Sequence, residues 1–375
     1  MLKLKITFFS VVILFSLLIC RDIRAQEVRT PDIPFNPETY VVYKTENPLK
    51  IDGNINKKAW LNTEWTNTFV DIRGGDYPPP RFKTRAKMLW DDEYFYFAAK
   101  LEEPHVWATI TERDAVIFMD NNFEIFIDPT GDTHHYYELE VNALGTIWDL
   151  MLTQPYRNGG RAIDAWDIKG LKIGIDIQGT LNDPTDTDEG WTVEVAIPWS
   201  VLLETTRHGM PTDGTQWRVG FSRVQWQTEI IDGKYVKLKD PETGLDLPED
   251  NWVWSPQGLI NMHFPEMWGF VQFSEIVAGM GTAPFKWNTD EDYKWLLRKL
   301  YYRQMEYRNE NGYYTEKAEN LGYTEIFKSL FEEDDFLPQL TISVLDNNYI
   351  MRLQPEGTTH NFYIRNDSKV WKTER

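Results

Sequence analysis

The chain is almost without cysteine. Its one thiol is Cys20, within the first 25 residues. No disulfide framework, zinc–thiolate centre or cysteine nucleophile can be built from the rest of the chain. Bases are also in short supply, with 39 Lys and Arg against 58 Asp and Glu and a formal net charge of −19. A field of that sign repels nucleic acid and anionic lipid surfaces, and it suits neutral ligands and divalent cations. Beyond residues 6–19 no apolar run is long enough to cross a bilayer. Helical periodicity is sparse before about residue 285, and internal repeats and low-complexity segments are missing.

What is present begins with residues 1–25, which read as a secretion signal. Lys3 and Lys5 precede the apolar stretch 6–19, and Ala25 places a small residue before Gln26. Removing that leader leaves an exported chain with no cysteine and no transmembrane segment. Residues 26–45, with Pro31, Pro34 and Pro37, read as a polar lead-in that wraps the surface. From 46 to 275 short strand patterns recur between Gly, Pro, Asp and Asn. Tyr94 to Ala99 is nearly all apolar, as a central strand is. Residues 136–142 alternate in period two, with Tyr137, Leu139 and Val141 on one face, and 171–177 and 191–198 alternate likewise. This spacing predicts a mainly β chain folded as a two-sheet antiparallel β-sandwich. The composition then changes. Residues 285–375 read as a small C-terminal α+β unit: a helix over 288–308 capped by Thr289, striped by Tyr293, Leu296, Leu297, Leu300, Tyr301 and Gln304 and ended by Asn311-Gly312, a short helix over 315–321, and strands over 340–345, 349–353 and 361–365.

Aromatics make up 14% of the chain and include 16 Trp. Flat rings serve sugar sites and sandwich cores alike, so the core claims most of them.

Several stretches, in order, resemble the family 9 carbohydrate-binding module. They are Ile51-Asp52-Gly53-Asn54-Ile55 with Ala59-Trp60, then Ala86 to Tyr96, Asp120 to Pro129, Tyr137 to Asn142, Trp191 to Trp199, Gly220 to Arg223, and Trp268 to Val271. The resemblance spans roughly residues 46–275 and leaves the C-terminal unit uncovered. It implies a β-sandwich, structural calcium in some members, and a cleft where a sugar lies between aromatic rings while charged and amide groups bind its hydroxyls. Carried onto this chain, Glu124 matches the acidic residue of the strand beside the cleft. Glu140 stands where well-studied members have an Arg, so their reducing-end specificity does not carry over. Asn142 ends the same matching stretch as an amide candidate. The first aromatic falls near Phe118. The second falls between 254 and 264, where Trp254, His263 and Phe264 are the candidates.

Glu124 and Glu140 on neighbouring strands suit three uses: holding a cation, sharing a proton, or accepting hydroxyls. Asp128 and Asp132, flanking the His134-His135 turn, and Asp52 with Asn54 are candidate metal ligands, with structural Ca2+ as the cation implied. The expectation is an exported carbohydrate-binding protein serving carbohydrate catabolism beside partner glycosidases, with a glycan as ligand and no nucleic acid. The alternatives are a glycoside hydrolase, since two carboxylates across a cleft also suit that reaction, and an envelope interaction protein that has lost its sugar site.

Overall fold

The computed structural model describes residues 28–375 apart from 76, 207–208 and 333–334. The expected secretion signal lies outside the described residues. The strands before the C-terminal region are β1 (Thr39–Lys44), β2 (Val70–Asp71), β3 (Thr84–Trp90), β4 (Tyr94–Glu102), β5 (Asn122–Asp128), β6 (Tyr136–Asn142), β7 (Ile147–Leu152) and β8 (Ala162–Ile163). They continue as β9 (Lys172–Gln178), β10 (Gly190–Pro198), β11 (Gln216–Gln225), β12 (Thr228–Ile231), β13 (Lys234–Lys237), β14 (Asp250–Val253) and β15 (Gly269–Val277). One hydrogen-bonded ladder runs β8-β7-β6-β5-β11-β15-β1-β3-β4-β10-β9, with β14 on β11 and β2 on β14.

That ladder folds over on itself into two layers. Phe123, Ile125, Tyr137, Leu139 and Phe221 from one half meet Met88, Phe97, Val193 and Val195 from the other in a common buried core. The Phe97 and Phe221 rings lie 5.9 Å apart edge to face, and Trp90 meets Phe273 at 5.7 Å. Such ring pairs stabilise beyond the area they bury. The sandwich is mainly antiparallel. The exception is β1, which runs parallel to β15 along Thr39–Tyr43 and then parallel to β3 at Tyr43 and Lys44, so it joins the layers. The part of the lead-in expected to wrap the surface is therefore a sheet strand, with Val42 fully buried.

The opening motif has a structural use. Glu194 on β10 is fully buried and accepts the amides of Asp52 (3.0 Å) and Gly53 (2.8 Å), and its other oxygen accepts Trp60 Nε1 at 2.7 Å. Gly53 sits at φ +84° against the β9 backbone, and a Cβ there would lie 2.4 Å from the Ile175 carbonyl carbon. Ile51-Asp-Gly-Asn and Ala59-Trp60 are thus pinned to β10 by one carboxylate.

The C-terminal region is a 22-residue helix α1 (Asp290–Asn311), a one-turn α2 (Tyr323–Lys328), and a meander of β16 (Gln339–Leu345), β17 (Asn348–Gln354), β18 (His360–Arg365) and β19 (Val370–Glu374). The helix buries Leu296, Leu297, Leu300, Tyr301 and Gln304, the expected stripe. Its N-terminus differs from the expectation: Thr289 makes no side-chain capping bond, and Asn288 Oδ1 accepts the Asp290 amide instead. Gly312, at φ 83°, ends it. The strand β19 was not anticipated, because Val370 is its only buried residue.

The region docks on the sandwich through Phe264, Met267, Val28, Phe35 and the helix. A buried ion pair of the sandwich lines the seam, and a hydrogen bond and a second ion pair cross it. Arg157 meets Glu266 at 2.6 Å, Tyr302 donates to the same carboxylate at 2.6 Å, and Arg218 reaches Glu291 at 3.4 Å.

Candidate functional site

The site begins with the two-residue period of β5 and β6. Tyr137, Leu139 and Val141 enter the core, so Tyr136, Glu138, Glu140 and Asn142 take the other face of β6. On β5, Phe123, Ile125 and Ile127 point inward, and Asn122, Glu124 and Phe126 outward. Register places Glu124 opposite Glu140 and Phe126 opposite Glu138. Trp148 on β7 lies beside Glu140, and Ser222 on β11 beside Glu124.

This outer face is covered. The segment 255–268 folds back over it, packing Met262 and Trp268 onto Phe126, Tyr136 and Leu150. A cavity of about 440 Å³ remains, within the range of small-ligand sites. Glu124, Glu138 and Glu140 line it with Phe118, Phe126, Trp148, Tyr156, His263, Glu249, Asn251, Ile260 and Asn261 among others, and no lysine or arginine is among them.

The three strand glutamates are buried, at 3%, 5% and 2% exposure. Asn122 Nδ2 donates to Glu124 (3.1 Å) and to Glu140 (3.3 Å). Ser222 Oγ, beside Glu124 on β11, is buried without a hydrogen-bond partner, and the Phe118 backbone lies near Glu140. Glu138 and Glu140, two residues apart on one face of β6, are close enough for each carboxyl to act on the other. Glu138 Oε2 is buried without a partner, and so is Trp148 Nε1. Burial pushes the Glu124 carboxyl up to about 7. Burial and then the Glu124 charge hold Glu138 and Glu140 well above the ordinary carboxylate range. His263 donates to or accepts from the Tyr136 hydroxyl at 3.0 Å and is pressed edge to face on Tyr156 at 4.5 Å. Burial and the nearby Arg157 charge lower it to about 3, so it is a neutral imidazole at physiological pH.

Phe118, Glu124, Glu140 and His263 therefore come together as the sequence suggested. Asn142, Trp254 and Phe264 do not. The Asn142 amide donates to the Ile110 carbonyl and Asp120, and its oxygen accepts Leu144 and Thr146 amides, which closes the turn after β6. Trp254 is in the inter-sheet core, 5.6 Å from Phe221. Phe264 faces the C-terminal helix, with the Arg157 guanidinium 4.0 Å over its ring.

The candidate metal ligands already have partners in the protein. Asp128 accepts the Thr130, Gly131 and Thr133 amides, and Asp132 accepts the His134 amide and pairs with Lys369. Asp52 is held between Lys50 and Lys57, and Asn54 caps the Asn56 amide. These residues shape turns. Among the described residues one group of acids, Asp114, Asp149 and Asp167, brings its oxygens within cation-binding distance. The Arg113 guanidinium already pairs with it, at 2.5 Å from Asp149 and 3.1 Å from Asp167.

Glu138 and Trp148 could have been read from parity. Glu138 shares its face with Glu140 two residues on, and Trp148 is placed by β7 pairing. Tyr156, Glu249 and Asn251 arrive from loops and the four-residue strand β14, where a two-residue period gives no signal.

Residues 51–243 match the family described as carbohydrate family 9 binding domain-like. An exoglucanase, XynX, of Acetivibrio thermocellus is 24% identical over 152 residues; the match takes in 40% of this chain and spans 12% of that protein. Among solved structures, a Bacteroides uniformis protein is 18% identical with a TM-score of 0.45, covering 64% of this chain and all of its own. A family 9 module from Caldicellulosiruptor kristjanssonii, in complex with cellotriose, is 16% identical with a TM-score of 0.41, covering 66% of this chain and all of its own.

Proposed function

The chain belongs to the carbohydrate family 9 binding domain-like family, and from that premise we propose that it is an exported protein that holds a glycan in the cavity floored by Glu124, Glu138 and Glu140. The observation that carries this reading is the chemistry of that lining: buried carboxyls beside Phe118, Trp148 and Tyr156. A pyranose has an apolar C–H face that stacks on a ring and a rim of hydroxyls that donate. Each buried acceptor left unmet costs about 1–3 kcal/mol, and a hydroxyl on Glu138 Oε2 removes that cost. A role in carbohydrate catabolism, beside glycosidases that cut the captured glycan, fits a binding domain exported from the cell.

Calorimetry of the purified chain against a panel of mono- and oligosaccharides, with and without calcium, tests the reading. Saturable binding to at least one sugar is expected, and Glu124→Gln should weaken it. A folded protein that binds none of them would end the glycan reading. The second reading, hydrolysis of a glycosidic bond, draws on the same raised carboxyls. Its acid pair would be Glu124 with Glu138 or Glu140, on the neighbouring strand. Product release from polymeric glycans that disappears in Glu124→Gln would establish it.

A further inference from the structure

We infer that the cavity selects a sugar bearing a free, protonated amino group over the same sugar without one. This inference rests on the glycan reading of the same site.

The first observation is the sign of the lining. Glu124, Glu138, Glu140 and Glu249 face the space, and no lysine or arginine does. The second is an unmet acceptor. Glu138 is 95% buried (5% exposed), its side chain lines the cavity, and its Oε2 has no donor in the protein. The third is how the fold treats buried glutamates elsewhere. Glu103 has Arg223 at 2.8 Å, Glu194 has Lys57 at 2.5 Å, Glu266 has Arg157 at 2.6 Å, and Glu291 has Lys294 at 2.5 Å. Each is matched by a fixed cation. The cavity glutamates are the set without one, and the open volume beside them is where a cation from outside would go.

A divalent metal fits this arrangement poorly. The cavity carboxylates are not among the groups whose oxygens converge to cation-binding distance. An ammonium on a rigid sugar ring needs less convergence. It directs separate N–H donors at separate acceptors, while the ring carbons stack on Trp148 or Tyr156. A neutral sugar donates hydroxyls to the same oxygens but leaves the repulsion among the carboxylates unanswered, so they must keep protons to stay close.

The groups facing the glutamates bear this out. His263 is neutral, the Tyr136 and Tyr156 hydroxyls are un-ionised, and Asp164 and Glu249 add negative charge from outside. Of the cations nearby, Arg157 is committed to Glu266, and Lys237, which feels Glu249, lies over the Trp226 ring outside the lining. An arriving ammonium therefore replaces protons held by the carboxyls, and binding at neutral pH releases them.

The experiment is titration calorimetry of the full chain, with a chelator present, in two buffers of different ionisation enthalpy. The ligands are glucosamine and galactosamine with their oligomers, the matched neutral sugars, and the matched N-acetyl sugars. We expect an amino sugar to bind at least tenfold more tightly than its neutral and acetylated partners, with buffer-dependent heat showing proton release. Glu138→Gln should shrink that preference severalfold, because it weakens amino-sugar binding more than neutral-sugar binding. Equal affinity for amino and neutral sugars, or amine binding without proton release, overturns the inference and leaves the glycan reading standing. Failure of all three classes to bind removes the glycan reading itself. If Glu138→Gln does not fold, the two-buffer measurement on the unaltered protein decides the matter.

Discussion

Two sets of glutamates in this molecule are equally buried and opposite in character. Glu266 and Glu291, at 1% and 5% exposure, sit in the seam between sandwich and C-terminal helix, each against a fixed cation, and the neighbouring Arg157, Lys294 and Arg218 charges outweigh burial and hold their carboxyls below the ordinary range. Glu124, Glu138 and Glu140 line the cavity with no such partner, and burial lifts all three. Depth is the same in these two sets, so depth alone does not set them apart; a partner counts only where its charge outweighs burial, which Arg223 does not do for the equally buried Glu103. In the seam the charge is used to join two regions. In the cavity it is left open, and the chain tolerates the cost where something from solvent can meet it.

The largest expected effect comes from breaking a seam pair. Glu266→Ala leaves the Arg157 guanidinium buried and uncompensated, with the Tyr302 hydroxyl also losing its acceptor. Denaturant unfolding should show a loss of about 3–5 kcal/mol. Arg157→Ala should cost a similar amount, and the double variant clearly less than the sum, because the two share one interaction. A loss below about 1 kcal/mol for the single change would mean that pairing does not distinguish the two sets.

The second effect is in pH, where the sets have opposite signs. A carboxyl raised in the folded state gives stability that is complete below its unfolded value and disappears as pH rises through the folded value. A lowered carboxyl gives stability that is present above its unfolded value and is lost as pH falls. His263, lowered to about 3, adds stability as pH rises toward the ordinary imidazole value and nothing beyond it. Above about pH 6.5, therefore, the raised Glu138 and Glu140 dominate, and stability should fall as pH rises further. Thermal melts of the unaltered protein and of Glu138→Gln/Glu140→Gln across that range check it. The double variant should lose the slope. Below about pH 4 the seam should fail first, and the cavity variants should not alter that limb.

Period and turn chemistry set how much of this was legible in the sequence. β6 matched at both ends because alternation and the Gly145 turn mark it. The stripe on α1 held because helical spacing is a long signal. The parallel strand β1 was missed: six residues of mixed polarity after three prolines carry no mark of a partner in both layers. In the site, Glu124, Glu140 and Phe118 were reachable through the family resemblance, because the matching stretches lie on and just before the paired strands β5 and β6. Trp254 and Phe264 went astray because the 254–268 loop decides which of its aromatics face core, helix or cavity by its path, and only His263 turned to the cavity.

A smaller effect sharpens the comparison from the ligand side. Trp148→Ala removes a ring from the cavity wall without touching the carboxyls. If the glutamates supply selectivity and the rings supply stacking, affinity should drop for amino and neutral sugars alike. The drop should be about two- to tenfold, and the ratio between the sugars should stay fixed. A change in that ratio would show that the ring itself reads the amine.

The smallest effect isolates burial from pairing on a single helix. Two i,i+3 pairs lie on α1: Glu291 with Lys294 at 2.5 Å, and Arg303 with Glu306 at 2.9 Å. The first is almost wholly buried. The second has side chains 59% and 41% exposed. Contact and spacing are alike, but water screens the outer pair and two long side chains lose freedom to make it. Arg303→Ala should therefore change the unfolding free energy by no more than about 0.5 kcal/mol, and less in high salt. Lys294→Ala should cost more, because Glu291 would then keep only Arg218 at 3.4 Å and the more distant Arg298 charge. Equal costs at the two positions would mean that proximity of opposite charges, rather than their removal from water, sets the strength of these pairs, and the contrast between seam and cavity would lose its basis.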